Sequence, residues 1–201
     1  YYANVSLVDE QVGKILDALE EQGLRENTWI FFASDHGDML GDHGMVYKWL
    51  MAEGSVRVPL IVCPPTGADP RGAGVATDDL ASILDVGRTC LDIAGAEVPP
   101  YLEGISLRPW AEGTDTNPRR YVFSEDNYLA MIRSDEWKLV HYFGQSGGEL
   151  YHLAGDPGAR DAAGLEFDRA EFVQISHRGR RAVVLDLAAT QLGHFVDPLG
   201  G

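Results

Sequence analysis

The sequence predicts an α/β fold that is followed, towards the C-terminus, by a small antiparallel sheet. In its first part, an apolar pattern at helical spacing leads directly into a short strand that is apolar almost throughout. A second strand and a second helix follow further along the chain. Beyond residue 118, short strand patterns alternate with polar turns, which is typical of an antiparallel meander.

The first helix is predicted over residues 4–21, because apolar side chains recur there every three or four positions. Gly23 supplies a stop directly after it. We expect this helix to be amphipathic and to pack on a sheet. The strand that follows, residues 28–33, is nearly all apolar and therefore predicts a central parallel strand covered on both faces.

Two further elements complete the first part of the chain. A strand is predicted over residues 58–62, and the prolines that follow at positions 64 and 65 end it. A helix is predicted over residues 81–94 and stops at Gly95. The polar stretch 113–118 has the composition of a boundary, so we expect one domain over residues 1–113 and a second over residues 118–201. The second is predicted to contain four short strands, at residues 121–124, 129–133, 137–143 and 149–153.

Composition excludes several classes of function. A net charge of −15 argues against a nucleic-acid partner, because phosphate binding needs clustered lysine and arginine. Two cysteines, Cys63 and Cys90, are too few for a disulfide-rich scaffold and do not have metal-site spacing. No apolar run approaches the roughly 20 residues that cross a bilayer, so we expect no membrane segment. The cellular compartment stays open.

The residues that can do chemistry lie in the segment 34–48, directly after the first strand. Asp35 and His36 are both metal-ligand types, and the carboxyl ends of strands are where open α/β sheets place ligands. Thirteen residues beyond Asp35, Lys48 offers a compact positive charge suited to sulfate-like or phosphate-like oxygens. The alternative interpretation is an acidic, glycine-rich surface loop without function.

Several motifs occur in a fixed order along the chain: Ser34-Asp35-His36-Gly37-Asp38, Gly41-Asp42-His43-Gly44, Lys48, Glu53 and Arg57-Val58-Pro59-Leu60. Others follow later: Leu91-Asp92-Ile93-Ala94-Gly95, Gly104-Ile105-Ser106-Leu107, Trp137-Lys138-Leu139-Val140 and Glu149-Leu150-Tyr151. In these motifs and their order the chain resembles the sulfatase family, which belongs to the alkaline phosphatase superfamily. The resemblance covers roughly the first 160 residues.

The resemblance implies a fold and a reaction. Residues 1–113 would form the C-terminal part of a sulfatase-type catalytic domain, a portion of the alkaline-phosphatase-like sandwich. Residues 118–201 would form a small antiparallel β subdomain with a terminal helix, for which residues 182–192 are the candidate. The implied reaction is metal-dependent hydrolysis of a small-molecule sulfate ester.

The resemblance also assigns roles to the candidate site residues. Asp35 and His36 match paired metal ligands of the family, and Lys48 matches a lysine that contacts the sulfate or the ester oxygen. His43 would line the pocket, although it can equally cap its own turn. The implied ion is Ca²⁺, while a ligating imidazole keeps Mn²⁺ or Zn²⁺ open. Arg57 is expected to form a structural ion pair, with Glu53 as its partner.

Some of the family's features have no match in this chain. The nucleophile motif, Cys/Ser-x-Pro-x-Arg, which is modified to formylglycine, does not occur, and Cys63-Pro64-Pro65 lacks its arginine. We therefore expect half of a metal site here, an N-terminal half of the same fold as the missing partner, and no activity from these residues alone. Two alternatives stay open: a phosphonate monoester or phosphodiester hydrolase of the same superfamily, and a non-catalytic interaction domain derived from a sulfatase.

Overall fold

The structure is a computed structural model, and it describes residues 1–66, 76–114, 119–155, 163–166, 172–177 and 180–185. The chain divides into two compact units. The first comprises residues 1–48 and 57–120, and the second comprises residues 49–56 and 121–201. The division after residue 120 falls beside the predicted boundary at 113–118, but the assignment of residues 49–56 to the second unit was not predicted from sequence.

The described residues form four α-helices: α1 (Tyr2–Glu21), α2 (Glu53–Val56), α3 (Leu84–Ile93) and α4 (Arg108–Ala111). They also form nine strands: β1 (Ile30–Ala33), β2 (Leu60–Cys63), β3 (Val122–Glu125), β4 (Leu129–Arg133), β5 (Trp137–Tyr142), β6 (Gly147–His152), β7 (Ala163–Glu166), β8 (Phe172–His177) and β9 (Arg180–Leu185). Among these described elements, no helix has both the length and the hydropathy needed to cross a membrane.

Helix α1 confirms the first predicted element, but its surroundings differ from the prediction. It ends where Gly23 adopts a left-handed φ of 66°, which glycine accepts without steric cost. The amide of Leu24 then donates to the carbonyl of Leu19 at 2.9 Å. No residue of α1 is buried, and Ile15 on its apolar face is 62 % exposed, so the expected packing of this helix on a sheet is wrong for this structure.

Strand β1 is found where the apolar run predicted it, but its pairing differs. It pairs with β2 in antiparallel register, with Ile30 opposite Cys63 and Ala33 opposite Leu60. Phe32 is 38 % exposed, so β1 is not the central parallel strand covered on both faces that we expected. An apolar run does not fix strand direction, because direction depends on which distant segment supplies the partner.

Helix α3 is tied to the loop that follows it by two buried polar side chains. The carboxylate of Asp85, which is fully buried, accepts hydrogen bonds from the amides of Ser82 at 2.7 Å and Ile105 at 2.9 Å. Arg119 completes its shell as an ion pair. The buried hydroxyl of Thr89 accepts from the amide of Leu107 at 2.8 Å. These contacts fix an irregular segment that has no ladder of its own.

The second unit is built on an antiparallel sheet of five strands in the order β3-β4-β5-β6-β7. This confirms the predicted meander and adds β7. Strands β8 and β9 form a separate two-stranded antiparallel sheet. The predicted terminal helix over 182–192 is therefore wrong for residues 182–185, which belong to β9, and residues 186–192 lie outside the described part of the chain. Val183 and Val184 are β-branched, which suits a strand.

The apolar core of the second unit includes a residue from the short segment 49–56. It consists of Met51, Leu129, Met131, Val140, Tyr151 and Leu153. Met51 is 7 % exposed, so residues 49–56 are attached to the sheet by a buried side chain.

Candidate active site

Asp35 and His36 lie just beyond Ser34, the residue that follows β1, and are fixed by local hydrogen bonds. The amide of His36 donates to Oδ1 of Asp35 at 3.0 Å. The hydroxyl of Ser34 donates to the carbonyl of His36 at 2.7 Å. Such side-chain contacts to nearby backbone groups replace a ladder where the strand ends. The side chain of Asp35 remains 87 % exposed and that of His36 36 % exposed, so both can reach a ligand.

The loop after His36 folds back on itself and returns Lys48 to the strand end. The amide of Met39 donates to the carbonyl of Tyr47 at 3.1 Å, and that of Gly41 donates to the carbonyl of Met45 at 2.8 Å. Gly41 has a φ of 107°, which a side chain at this position would resist. Met39 is only 2 % exposed and anchors the loop. Lys48 is thereby brought close to residues twelve and thirteen positions earlier.

The hydrogen-bond partners of His36 define the tautomer of its imidazole. Nδ1 of His36 lies 3.0 Å from the carbonyl oxygen of Gly37, which can only accept, so Nδ1 carries the proton. Nε2 then presents its lone pair and accepts from Nζ of Lys48 at 2.7 Å. Oδ2 of Asp35 lies 3.5 Å from the same Nε2. One cation, one imidazole lone pair and one carboxylate therefore converge at the end of β1.

This arrangement matches the donor chemistry of half a metal site. A ligating histidine generally donates its other ring proton to a backbone carbonyl, as Nδ1 of His36 does to Gly37, and so directs its free lone pair at the ion. The ammonium of Lys48 lies against that lone pair, which shows that the site accepts positive charge. Within the described residues, no three or more His, Cys, Asp or Glu side chains are grouped to hold a metal. In this part of the chain, Asp35 and His36 are therefore two side chains of metal-ligand type and not a complete coordination shell.

His43 lies apart from this group. It is exposed on the turn Asp42–Gly44, with a φ of 51° and a ψ of 23°. Histidine tolerates this left-handed region better than bulky apolar residues do. The structure brings together Asp35, His36 and Lys48, and it records no hydrogen bond from His43 to any of them within the described residues.

Sequence reasoning missed a buried ionic cluster in the second unit. Glu53 accepts from Nζ of Lys138 at 3.0 Å and from Nη1 of Arg133 at 2.9 Å, whereas Arg57 had been expected as its partner. Lys138 is fully buried, and burial lowers its pKa below 10.5, while the charge of Glu53 acts in the opposite direction. The signal was a lysine inside the apolar run Trp137-Lys138-Leu139-Val140, where a charge needs a buried partner.

Comparison with known proteins shows which family the chain belongs to. The family described as Sulfatase matches residues 1–96. The choline-sulfatase of Rhizobium meliloti (strain 1021) is 39 % identical over 164 residues, which cover 78 % of this chain and 31 % of that protein. The chain belongs to the sulfatase family, with its alkaline-phosphatase-like fold.

Two solved structures extend the comparison. BT4656 in complex with its substrate D-glucosamine-2-N,6-O-disulfate has a TM-score of 0.69 and 32 % identity, over 79 % of this chain and 34 % of that one. The phosphonate monoester hydrolase of Agrobacterium radiobacter also has a TM-score of 0.69 and 32 % identity, over 79 % of this chain and 35 % of its own. The chain spans about a third of the length of the curated relatives it matches.

Proposed function

We propose that the protein to which this chain belongs hydrolyses sulfate esters with the help of a divalent metal ion. The observation that carries the proposal is the convergence of Asp35, His36 and Lys48 at the end of β1, with Nε2 of His36 presented as an acceptor. Because the chain belongs to the sulfatase family, we interpret the three side chains as two metal ligands and one cation for the substrate.

Asp35 and His36 would hold the ion through a carboxylate oxygen and through Nε2. A bound divalent ion supplies charge compensation at the ester and at the attacking group. Ca²⁺ is the first expectation because the resemblance to sulfatases implies it, while the imidazole leaves Mn²⁺ and Zn²⁺ open. A calcium shell takes about six to eight oxygen ligands, so further ligands must come from outside this pair. We expect them, together with the nucleophile, from residues outside this chain.

Lys48 would serve as the fixed cation for the substrate anion. An ammonium at the metal-ligand pair can exchange its hydrogen bond to His36 for one to a sulfate oxygen, at a place where negative charge increases during ester cleavage. The role of Lys48 is electrostatic, because no proton transfer is needed to stabilise such oxygens. His43 is a second candidate for contact with the substrate, since it is exposed on a turn of the same loop.

Phosphonate monoester hydrolysis is the second candidate reaction. It is favoured by the solved hydrolase of that name, whose similarity to this chain equals that of the complex with a sulfated sugar. Both reactions need a metal and a fixed cation for a tetrahedral anion, so the residues of this chain serve either one. Assays with p-nitrophenyl sulfate and with a p-nitrophenyl phosphonate monoester on the full-length gene product separate the two.

The ligand assignment is tested by replacing Asp35 and Lys48 in the full-length gene product. Asp35→Ala should lower the bound metal measured by elemental analysis and abolish turnover. Lys48→Ala should lower kcat on the order of 10²- to 10³-fold, the usual cost of losing one fixed electrostatic donor, without a matching loss of melting temperature. Asp17→Ala and Lys14→Ala, on the exposed face of α1, are the matched controls.

Three outcomes would contradict the ligand assignment, the role of Lys48 or the hydrolase function. Full metal occupancy in folded Asp35→Ala contradicts the ligand assignment. Unchanged activity per folded molecule in Lys48→Ala contradicts the role of Lys48 as the substrate cation. A folded wild-type protein that binds metal but hydrolyses neither ester supports instead the non-catalytic interaction domain.

A further inference from the structure

Ser34 links the end of β1 to the two candidate metal ligands. Its side chain is half-buried, and its hydroxyl donates to the carbonyl oxygen of His36 at 2.7 Å. Strand β1 ends at Ala33, which lies opposite Leu60, so the backbone of residues 34–37 lies beyond the strand ladder. A hydroxyl that bonds a nearby carbonyl at such a place holds backbone that no ladder holds.

The two peptide groups that flank the imidazole of His36 are both held by side chains. On the N-terminal side, the amide of His36 donates to Oδ1 of Asp35 at 3.0 Å. On the C-terminal side, the carbonyl of His36 accepts from Ser34. That carbonyl leads into Gly37, whose own carbonyl oxygen lies 3.0 Å from Nδ1 of His36. The hydroxyl of Ser34 therefore limits where the acceptor of the Nδ1 proton can lie relative to the ring.

The position of this acceptor decides whether His36 can bind a metal. With the Gly37 carbonyl in place, Nδ1 carries the proton and Nε2 keeps its lone pair. If the carbonyl moves away, the neutral ring can carry its proton on Nε2 instead, and a protonated nitrogen cannot bind a metal ion. The ring also loses the contact that fixes its orientation. Ser34 thus acts on the ligand atom through the peptide group between His36 and Gly37.

We propose that Ser34 is a positioning residue for the metal ligand His36. It raises the fraction of molecules in which His36 presents Nε2, and the apparent dissociation constant of the metal varies inversely with that fraction. The proposal rests on the function proposed for Asp35 and His36. It adds a residue that contacts neither the ion nor the substrate and that nevertheless sets the affinity for the ion.

The test compares Ser34→Ala and Ser34→Thr in the full-length gene product. Alanine removes the hydroxyl, whereas threonine keeps it and suits the extended backbone at a strand end. Ser6→Ala is the matched control, because it removes a hydroxyl that donates to another local carbonyl, that of Tyr2 on α1, at 3.1 Å. Each metal-stripped protein is titrated calorimetrically with Ca²⁺, Mn²⁺ and Zn²⁺. Melting temperature without metal and turnover of p-nitrophenyl sulfate and of the phosphonate monoester across metal concentrations are also measured.

A positioning role predicts a specific pattern. We expect Ser34→Ala to raise the metal dissociation constant about tenfold to a hundredfold, the usual effect of removing an outer partner of a metal ligand. Excess metal should restore most of the turnover, because the bound ion selects the competent form of His36. Ser34→Thr should recover most of the lost affinity, and Ser6→Ala should match the wild type. A merely structural role of Ser34 would lower the melting temperature but leave the dissociation constant of the folded molecules unchanged.

Other results overturn the proposal. If Ser34→Ala binds metal as tightly as the Ser6→Ala control, Ser34 does not position His36. If Ser34→Thr binds as weakly as Ser34→Ala, the hydroxyl is not the group that acts. A wild-type protein that binds metal but hydrolyses neither ester refutes the proposed reaction, and the dissociation constants still decide the role of Ser34. If the wild type binds none of the three ions, the ligand assignment and this proposal are both refuted.

Discussion

Replacing Glu53 by leucine tests how much the buried ion pairs of Glu53 with Lys138 and Arg133 contribute to folding. The substitution removes the acceptor of two charge-assisted bonds, at 3.0 Å to Lys138 and 2.9 Å to Arg133. Two cations then lack their carboxylate partner: Lys138, whose side chain has no exposed surface, and Arg133, whose side chain is 20 % exposed. Breaking a buried pair by removing one partner typically costs about 3–5 kcal/mol, because a buried charge stays uncompensated. We expect a loss of unfolding free energy in that range.

An exposed ion pair in the same chain supplies the control. On α1, Oε1 of Glu10 and Nζ of Lys14 are only 2.6 Å apart, but both side chains are 61 % exposed. Exposed pairs at this helical spacing contribute about 0.3–0.5 kcal/mol, because water competes for both charges. Glu10→Leu should therefore cost far less than Glu53→Leu despite the shorter distance. The measurement is urea denaturation of the full-length gene product, followed by circular dichroism.

The loss in Glu53→Leu should depend on pH in a defined direction. Burial lowers the pKa of Lys138, and the carboxylate of Glu53 opposes that shift, so the variant's Lys138 has a still lower pKa. In the unfolded chain the pKa stays near 10.5. Between the two values the unfolded state binds more protons, so stability rises with pH. The deficit relative to wild type should narrow as the pH rises from neutral towards 10.5. Equal losses in the two leucine variants, or a deficit that widens with pH, would refute the reasoning.

Two further predictions concern single positions. Burial lowers the pKa of His141, which is 7 % exposed, below its ordinary 6.5. The unfolded chain then binds the proton at a higher pH than the folded chain does, so the free energy of unfolding should fall as the pH drops below about 6.5. His141→Gln should reduce this pH dependence. Equal pH dependence of the unfolding free energy in the variant and the wild type would contradict the prediction. At Gly104, a Cβ would meet the carbonyl group of Leu84, whose carbon lies at 2.8 Å, so Gly104→Ala should cost about 1–3 kcal/mol in urea denaturation. Gly13→Ala, where nothing lies within 4 Å, should instead stabilise by about 0.5–1 kcal/mol, and a loss equal to that of Gly104→Ala would contradict the steric explanation.

Local patterns in the sequence were enough to place most elements. The helical spacing of apolar residues predicted α1 and α3, and alternating short strands predicted the meander of β3 to β6. These signals are local, because a periodicity of 3.6 or 2 is carried by neighbouring residues. The same reasoning marked Asp35 and His36 as the residues that leave β1 with ligand chemistry.

Contacts between distant residues were decided only by the tertiary structure. The apolar run of β1 gave no strand direction, and β2 supplied an antiparallel partner. Val183 and Val184 fit either a helical or an extended pattern, and pairing with β8 selected the strand. In both cases the deciding partner lies elsewhere in the chain, so no window of sequence contains it.

Charge pairing shows the same limit most clearly. Sequence proximity suggested Arg57 as the partner of Glu53, whereas the structure pairs Glu53 with residues 80 and 85 positions away. A carboxylate takes whichever cations the fold buries beside it, and burial is a property of the folded chain. The sequence by itself therefore determined the elements and the candidate ligands, while the tertiary structure decided that Lys48 meets His36 and that Lys138 pairs with Glu53.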